Sequence, residues 1–327
     1  MSGLLEQPPL IETAYRAYIT VAVSTLLPTE TRGFDLHLRR GRKVEYFLFC
    51  DRVTPLTEDA LLKLQHSGVL TLYVTVKHQA EYARYLNEAL AGARQLPTDR
   101  RYQLLSAVAK TMLIAAFNKN DLLSAMPTIK SVAGIIVEHL ATKHLVLRHL
   151  FSLMTHDYCT YAHANNVSMY CVLLARQLGN DSPVELTEIA AGGLLHDAGK
   201  RHLPGKLLNK VERLTDQEKA VIRRHPQHGF EDLCRSPDLN WGQLMMVYQH
   251  HERLDGGGYP AQIAADEIHP WAKICAVADV FDALTGARPY RHALRAAEAI
   301  AYLSKRAPVS YDPEIVACLS ILMLQHS

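Results

Sequence analysis

Asp279 stands in an otherwise apolar helical segment, among Ile274, Ala276, Val277, Ala278, Val280 and Phe281. A carboxylate embedded there is costly unless it is paired or bound to a metal. Whatever fold this chain adopts must therefore deliver a partner to that position. The chain is rich in one candidate partner, with seventeen histidines in 327 residues. Their number proves nothing, because most are incidental. Where they fall decides the matter.

Four local clusters stand out: "LLHDAGK" (Leu194 to Lys200), "RRHPQHG" (Arg223 to Gly229), "HHERLDGGGYP" (His250 to Pro260) and "VADVFDALTGARPYR" (Val277 to Arg291), with "DYCTYAH" (Asp157 to His163) upstream. Imidazole and carboxylate are natural ligands for divalent iron, manganese, nickel or zinc. A carboxylate can bridge two ions, and two ions can hold between them a hydroxide that is a strong nucleophile at neutral pH. A phosphodiester needs such help, because its anionic oxygens repel a nucleophile until cations neutralise them. Each piece alone is weak. A His-Asp dipeptide is a common accident, and His225 reads equally well as a helix-terminal histidine favoured by the macrodipole. On a regular helix His250 and His251 point about 100° apart, so both reach one centre only near a helix end. Gly256, Gly257 and Gly258, directly after, supply that end.

The predicted fold class is mainly α, an all-helical C-terminal domain preceded by a small α+β domain. Residues 1–95 form the accessory module: a strand from Tyr18 to Val23, then a hairpin, a helix with Leu61, Leu62 and Leu64, and a β-rich run from Val69 to Val76. In the hairpin, Phe34, Leu36 and Leu38 alternate before the basic run Arg39-Arg40-Gly41-Arg42-Lys43, and Val44, Tyr46 and Leu48 after it. The basic run reads as a solvated turn in preference to a phosphate-binding patch. Residues 96–150 form a helical linker region, where Leu105, Val108, Met112 and Ala116, then Val132, Ile135, Ile136 and Leu140, recur at helical spacing. Residues 151–327 form the third segment, with turn signals at Gly179 to Pro183, Leu203 to Gly205 and Ser236 to Asp238. Thr215 and Glu218 make a capping box for the helix that leads to His225.

Composition narrows the class. Hydrophobic residues at 48% and charged residues at 21% are those of a globular protein with a real core. No apolar run approaches the roughly 20 residues that span a bilayer, and the N-terminus has no charged-then-apolar signal pattern. The expected location is the cytoplasm, with no membrane partner. A net charge of +2 gives no reason to invoke nucleic acid. The six cysteines, Cys50, Cys159, Cys171, Cys234, Cys275 and Cys318, form no CxxC pair and read as reduced thiols.

Taken in order and spacing, the clusters strongly resemble the HD-GYP family, the cyclic di-GMP phosphodiesterase branch of the HD superfamily. The resemblance covers about residues 150 to 320: His-Asp followed by Gly-Lys, "HP" about 28 residues later, "HHE..DG.GYP" and "VAD.FDALT..RPYR". It implies one metal held by His163, His196 and Asp279, a second held by His225, His250 and His251, and Asp197 bridging the two. It also implies that Lys200 contacts the scissile phosphate, that Arg288 and Arg291 contact substrate phosphates, and that Asp157 helps protonate the leaving 3′-oxygen. Asp157 reads equally as an N-cap, which does not exclude the other role. Gly258, Tyr259 and Pro260 form the name-giving loop, implicated in substrate fit or contact with partner domains. Asp255 and Asp282 read as loop or helix hydrogen-bonding residues.

One departure is informative. Some family members carry a Glu four positions before the first ligand histidine, where it supports a third metal; this chain has Cys159 there. A neutral thiol at that position predicts two metals, iron or manganese first and nickel or zinc next, with no third. By resemblance this favours linear pGpG as the product. The competing readings are a low-turnover sensor or scaffold that engages diguanylate cyclase domains, and a hydrolase of a related cyclic dinucleotide. The N-terminal module carries no chemical motif; a regulatory or homodimer-forming role follows from its position alone. His202 and His228 read as surface or supporting residues, with Pro226 ending the helix before His228, and Met245-Met246 as core packing.

Overall fold

The computed structural model describes residues 17–29, 32–40, 45–92, 103–109, 111, 113, 122–140, 160–208, 210, 212–286 and 293–324. They belong to two compact units, Met1–Thr111 and Met112–Ser327.

The first unit is built on alternation. β1 (Tyr18–Ala22), β2 (Leu36–Arg40), β3 (Glu45–Cys50) and β4 (Thr71–Thr75) form one antiparallel sheet in the order β1-β4-β2-β3. Successive side chains of a strand point to opposite faces. Ile19 and Val21 of β1 and Leu72 and Val74 of β4 are accordingly buried, while their neighbours are not. β2 and β3 pair as the expected hairpin, with Arg40 opposite Glu45; the tip at 41–44 lies outside the described residues. Between the strands, α1 (Glu58–His66) starts at Thr57, whose side chain accepts from the Ala60 amide at 3.2 Å. It buries Leu61 and Leu64 but turns Leu62 outward, 44% exposed. α2 (Gln79–Ala91) follows β4.

The regular elements among the second unit's described residues are helices: α3 (Met126–Leu140), α4 (Thr160–Gln177), α5 (Pro183–Leu195), α6 (Gly205–Leu208), α7 (Asp216–Ile222), α8 (His225–Leu233), α9 (Trp241–Gln249), α10 (Pro270–Thr285), α11 (Ala296–Arg306) and α12 (Pro313–Leu324). A 3-10 turn, Ala198–His202, follows α5. α5 is the axis of the core. It buries Ile189, Ala190, Ala191, Leu194 and Leu195, and it packs against α3, α4 and α9. α10 packs on α4 and α9, with the Tyr170 and Phe281 rings edge to face at 5.2 Å. α3, from the stretch read as linker, packs on α4 and α5, and Arg176 of α4 donates to the Leu140 carbonyl at 2.7 Å.

Three caps mark where α5, α7 and α9 begin. Ser182 opens α5, Thr215 and Glu218 form the expected capping box of α7, and Asn240 and Gln243 form another at α9. No helix among the described residues is long and apolar enough to cross a membrane.

Candidate metal centre

Five helices deliver polar side chains to one buried place. α4 carries His163, and the C-terminal end of α5 leads into His196 and Asp197. α8 begins with His225, α9 ends at the His250-His251 pair, and the middle of α10 carries Asp279. All but His251 are buried.

The histidine rings are held so that their outer nitrogens face inward. Nδ1 of His196 lies 2.8 Å from the Gly193 carbonyl, Nδ1 of His225 lies 2.8 Å from that of Ile222, and Nδ1 of His250 lies 3.0 Å from that of Met246. A carbonyl can only accept, so each Nδ1 carries a proton, and in the neutral ring Nε2 is left as the lone-pair atom. These lone pairs converge on Asp197. Its Oδ2 lies 3.6 Å from Nε2 of His163 and 3.4 Å from Nε2 of His196. Its Oδ1 lies 3.2 Å from Nε2 of His225 and 3.8 Å from Nε2 of His250. The His225 and His250 Nε2 atoms are themselves 3.3 Å apart, and two neutral rings donating from Nδ1 have no proton to share there.

Such an arrangement is repulsive by itself. His196 Nε2 and Asp197 Oδ1 are buried and have no hydrogen-bond partner among the described residues, a state that costs free energy in a dry interior. Cations placed among these atoms would turn each repulsion into a ligand bond, and histidine ligands commonly donate their other N–H to a carbonyl or carboxylate, as here. The donor set therefore fits divalent metal. The ligand atoms fall into two groups, each within 4.8 Å: His163, His196 and Asp197, and Asp197, His225, His250 and His251. Asp279 borders both, its Oδ1 3.1 Å from His163 Nε2 and its Oδ2 3.8 Å from His251 Nδ1.

The electrostatics agree. Burial opposes charge at Asp197, yet the Lys200 ammonium holds its carboxyl well below the usual range. Burial likewise opposes charge at Asp279, and His163, held as a donor beside it, outweighs it. Burial drives His251 down to about 3 and His250 well below its ordinary value, so both rings are neutral. His163 differs, since carboxylates face both of its nitrogens. Burial lowers its pKa, but Asp279 and Asp282 hold it up at about 9.

Two backbone approaches build the rim. A side chain at Gly199 would run into the His225 carbonyl and the Gly229 amide, so glycine lets the turn carrying Lys200 lie directly on the first turn of α8. There Lys200 Nζ reaches Asp197 Oδ2 at 2.5 Å. At Gly258 a side chain would meet the backbone of Glu252 and Arg253, which folds the Gly-Tyr-Pro loop back on the histidine pair. Buried Glu252 secures that fold by accepting from the amides of Ala261 at 2.6 Å and Gln262 at 3.1 Å. The Tyr259 ring then stacks on His251, centroids 4.6 Å apart, and the Arg223 guanidinium carbon sits 5.4 Å from the Tyr259 ring centre.

Asp282 is more than a helix hydrogen-bonding residue. Its Oδ2 accepts from His163 Nδ1 at 2.6 Å and its Oδ1 from Asn166 at 2.9 Å, so it orients a ring of the cluster. The signal in the sequence is spacing, because Asp279 and Asp282 stand three apart and share a helix face. Asp255 keeps to its loop, accepting from the Gly257 amide at 3.0 Å. The expectation that Pro226 separates His228 from the helix of His225 is corrected. α8 runs His225–Leu233 with Pro226 in its first turn, where a missing N–H costs nothing. His228 nevertheless stays outside the cluster, 3.5 Å from Glu231, and His202 pairs with Asp232 at 2.7 Å. Asp157, Cys159, Arg288 and Arg291 lie outside the described residues.

A family model described as "HD domain" matches residues 150–315. A "cyclic di-GMP phosphodiesterase" of Pseudomonas aeruginosa is 36% identical over 222 residues, which cover 66% of this chain and 52% of that protein. A "3'3'-cGAMP-specific phosphodiesterase" of Vibrio cholerae is 35% identical over 161 residues, covering 49% of this chain and 34% of its own length. The chain thus spans about half or less of the curated relatives it matches. Among solved structures, an HDGYP protein of Bdellovibrio bacteriovorus superposes with a TM-score of 0.73 over 94% of this chain and 99% of that one. At 19% identity this is a likeness of fold.

Proposed function

Because the chain belongs to the HD domain family, in its HD-GYP branch, we propose that it is a metal-dependent phosphodiesterase that hydrolyses cyclic di-GMP, giving mainly linear pGpG. The observation that carries the reading is the division of Asp197, with one oxygen toward His163 and His196 and the other toward His225 and His250. Under this reading His163, His196 and Asp279 hold one ion, His225, His250 and His251 hold the other, and Asp197 serves both. When bound, such a pair neutralises phosphate oxygens and makes a water acidic enough to attack.

The chain's own residues do the rest. Lys200, already beside Asp197, places a positive charge where the scissile phosphate would lie. Tyr259, kept as a neutral phenol by burial, covers His251 and shapes the open side of the cluster against a sugar or base. Arg288 and Arg291 are the proposed phosphate forks. Hydrolysis of one phosphodiester releases a 3′-oxygen that must take up a proton, and Asp157 is the proposed donor.

The test is turnover of cyclic di-GMP by protein purified without oxygen and loaded separately with iron, manganese, nickel or zinc. Release of pGpG with iron or manganese is expected. No hydrolysis with iron, manganese or nickel would refute the enzyme reading in favour of the low-turnover scaffold. The Vibrio relative gives a second substrate a specific basis, so 3′3′-cGAMP belongs in the same assay. Metal count is checked separately. Two ions per chain are expected, rising toward three in Cys159→Glu; three in the unmodified protein would defeat the two-ion proposal and the product assignment with it.

A further inference from the structure

Arg223 lies on the short turn between α7, which ends at Ile222, and α8, which begins at His225. The turn is fixed by the backbone, since the Arg223 amide donates to the Lys219 carbonyl at 2.9 Å. Its exposed side chain brings the guanidinium over the Tyr259 ring. The nearby acid Asp216 is engaged by Lys219 at 2.9 Å. A cation on a ring uses only one face of the guanidinium. The planar edge keeps its N–H donors in the fork that suits a phosphate.

Position decides which phosphate. The Arg223 guanidinium contacts the Tyr259 ring, which in turn stacks on His251, so Arg223 is joined to the carboxylate–histidine cluster through that ring. The cluster is the place for the bond that breaks. A cyclic dinucleotide carries two phosphodiesters in one ring, and its second anion must lie outside the cluster when the first is inside. We infer that Arg223 binds the non-scissile phosphodiester of a cyclic dinucleotide and is a specificity-determining residue for that substrate class. This role rests on the phosphodiesterase reading above.

The experiment compares two substrates on metal-loaded protein: cyclic di-GMP, with two phosphodiesters, and bis(4-nitrophenyl) phosphate, with one. In Arg223→Met the KM for cyclic di-GMP rises about tenfold, the scale of one lost charged hydrogen bond, and kcat changes by less than about twofold. The preference for cyclic di-GMP over bis(4-nitrophenyl) phosphate falls by the same factor. The salt dependence of KM flattens, as expected for a lost exposed phosphate contact. Arg223→Lys keeps the charge without the fork and recovers part of the loss. An equal loss on both substrates, or none on either, overturns the assignment. A parent protein that cleaves bis(4-nitrophenyl) phosphate but no cyclic dinucleotide instead overturns the substrate reading, and this role with it.

Discussion

Replacing Asp197 with alanine is expected to abolish turnover and to release both ions together, leaving a folded protein. The carboxylate divides its oxygens between two histidine groups, so its removal takes one ligand from each. Charge stabilisation by bound metal is worth several kcal/mol, and about 1.4 kcal/mol is tenfold in rate. A fall on the order of 10³-fold or more follows. Folding should survive, because the substitution deletes a buried charge and leaves the apolar packing of α4, α5 and α10 intact. Metal analysis after desalting, with helix content by circular dichroism as the control, reads both. A variant that keeps two ions per chain would refute the bridging role.

The second large effect is expected at Asp282, which touches the ring of His163 and lies one contact back from the cluster. Asp282→Asn can accept with only one oxygen, whereas the native carboxylate accepts from both His163 and Asn166. If the amide oxygen serves Asn166, the amide N–H₂ faces His163 Nδ1 and drives the ring proton to Nε2, where it blocks a ligand position. If it serves His163, two amide groups meet donor to donor. Either way the buried ring loses its charged partner. Loss of such a supporting contact costs about 10- to 100-fold in metal affinity. The loss should fall on one ion first, visible as one weakened site in a metal titration. Affinity within twofold of the parent at both sites would overturn it.

How much of this was legible beforehand follows from how each feature is encoded. The strands were readable because alternation is local, and Ile19, Val21, Leu72 and Val74 behave as the alternation requires. Asp279 was readable because a charge in an apolar helix is conspicuous by itself. Asp282 was legible only as a residue sharing the helix face of Asp279; its contact was not, since its partners His163 and Asn166 lie more than a hundred residues away. The Arg223–Tyr259–His251 contacts escaped for the same reason: three elements meet there and none carries a pattern for it. Pro226 stands in a first turn, where proline is at home, so its incompatibility with helix interiors does not end α8.

Finally, three rings of the cluster are anchored to carbonyls of their own helical turn or the turn just before them: His196 to Gly193, His225 to Ile222 and His250 to Met246. Each ring is thereby locked to its local backbone like a tooth on a shaft. Side-chain rotation can do little to compensate when such a segment moves. The spacing between the two ligand groups is therefore gauged by the seating of α9 against α5 and α8, and of the 3-10 turn after α5 against α8, so a slide of one of those segments carries its ring with it.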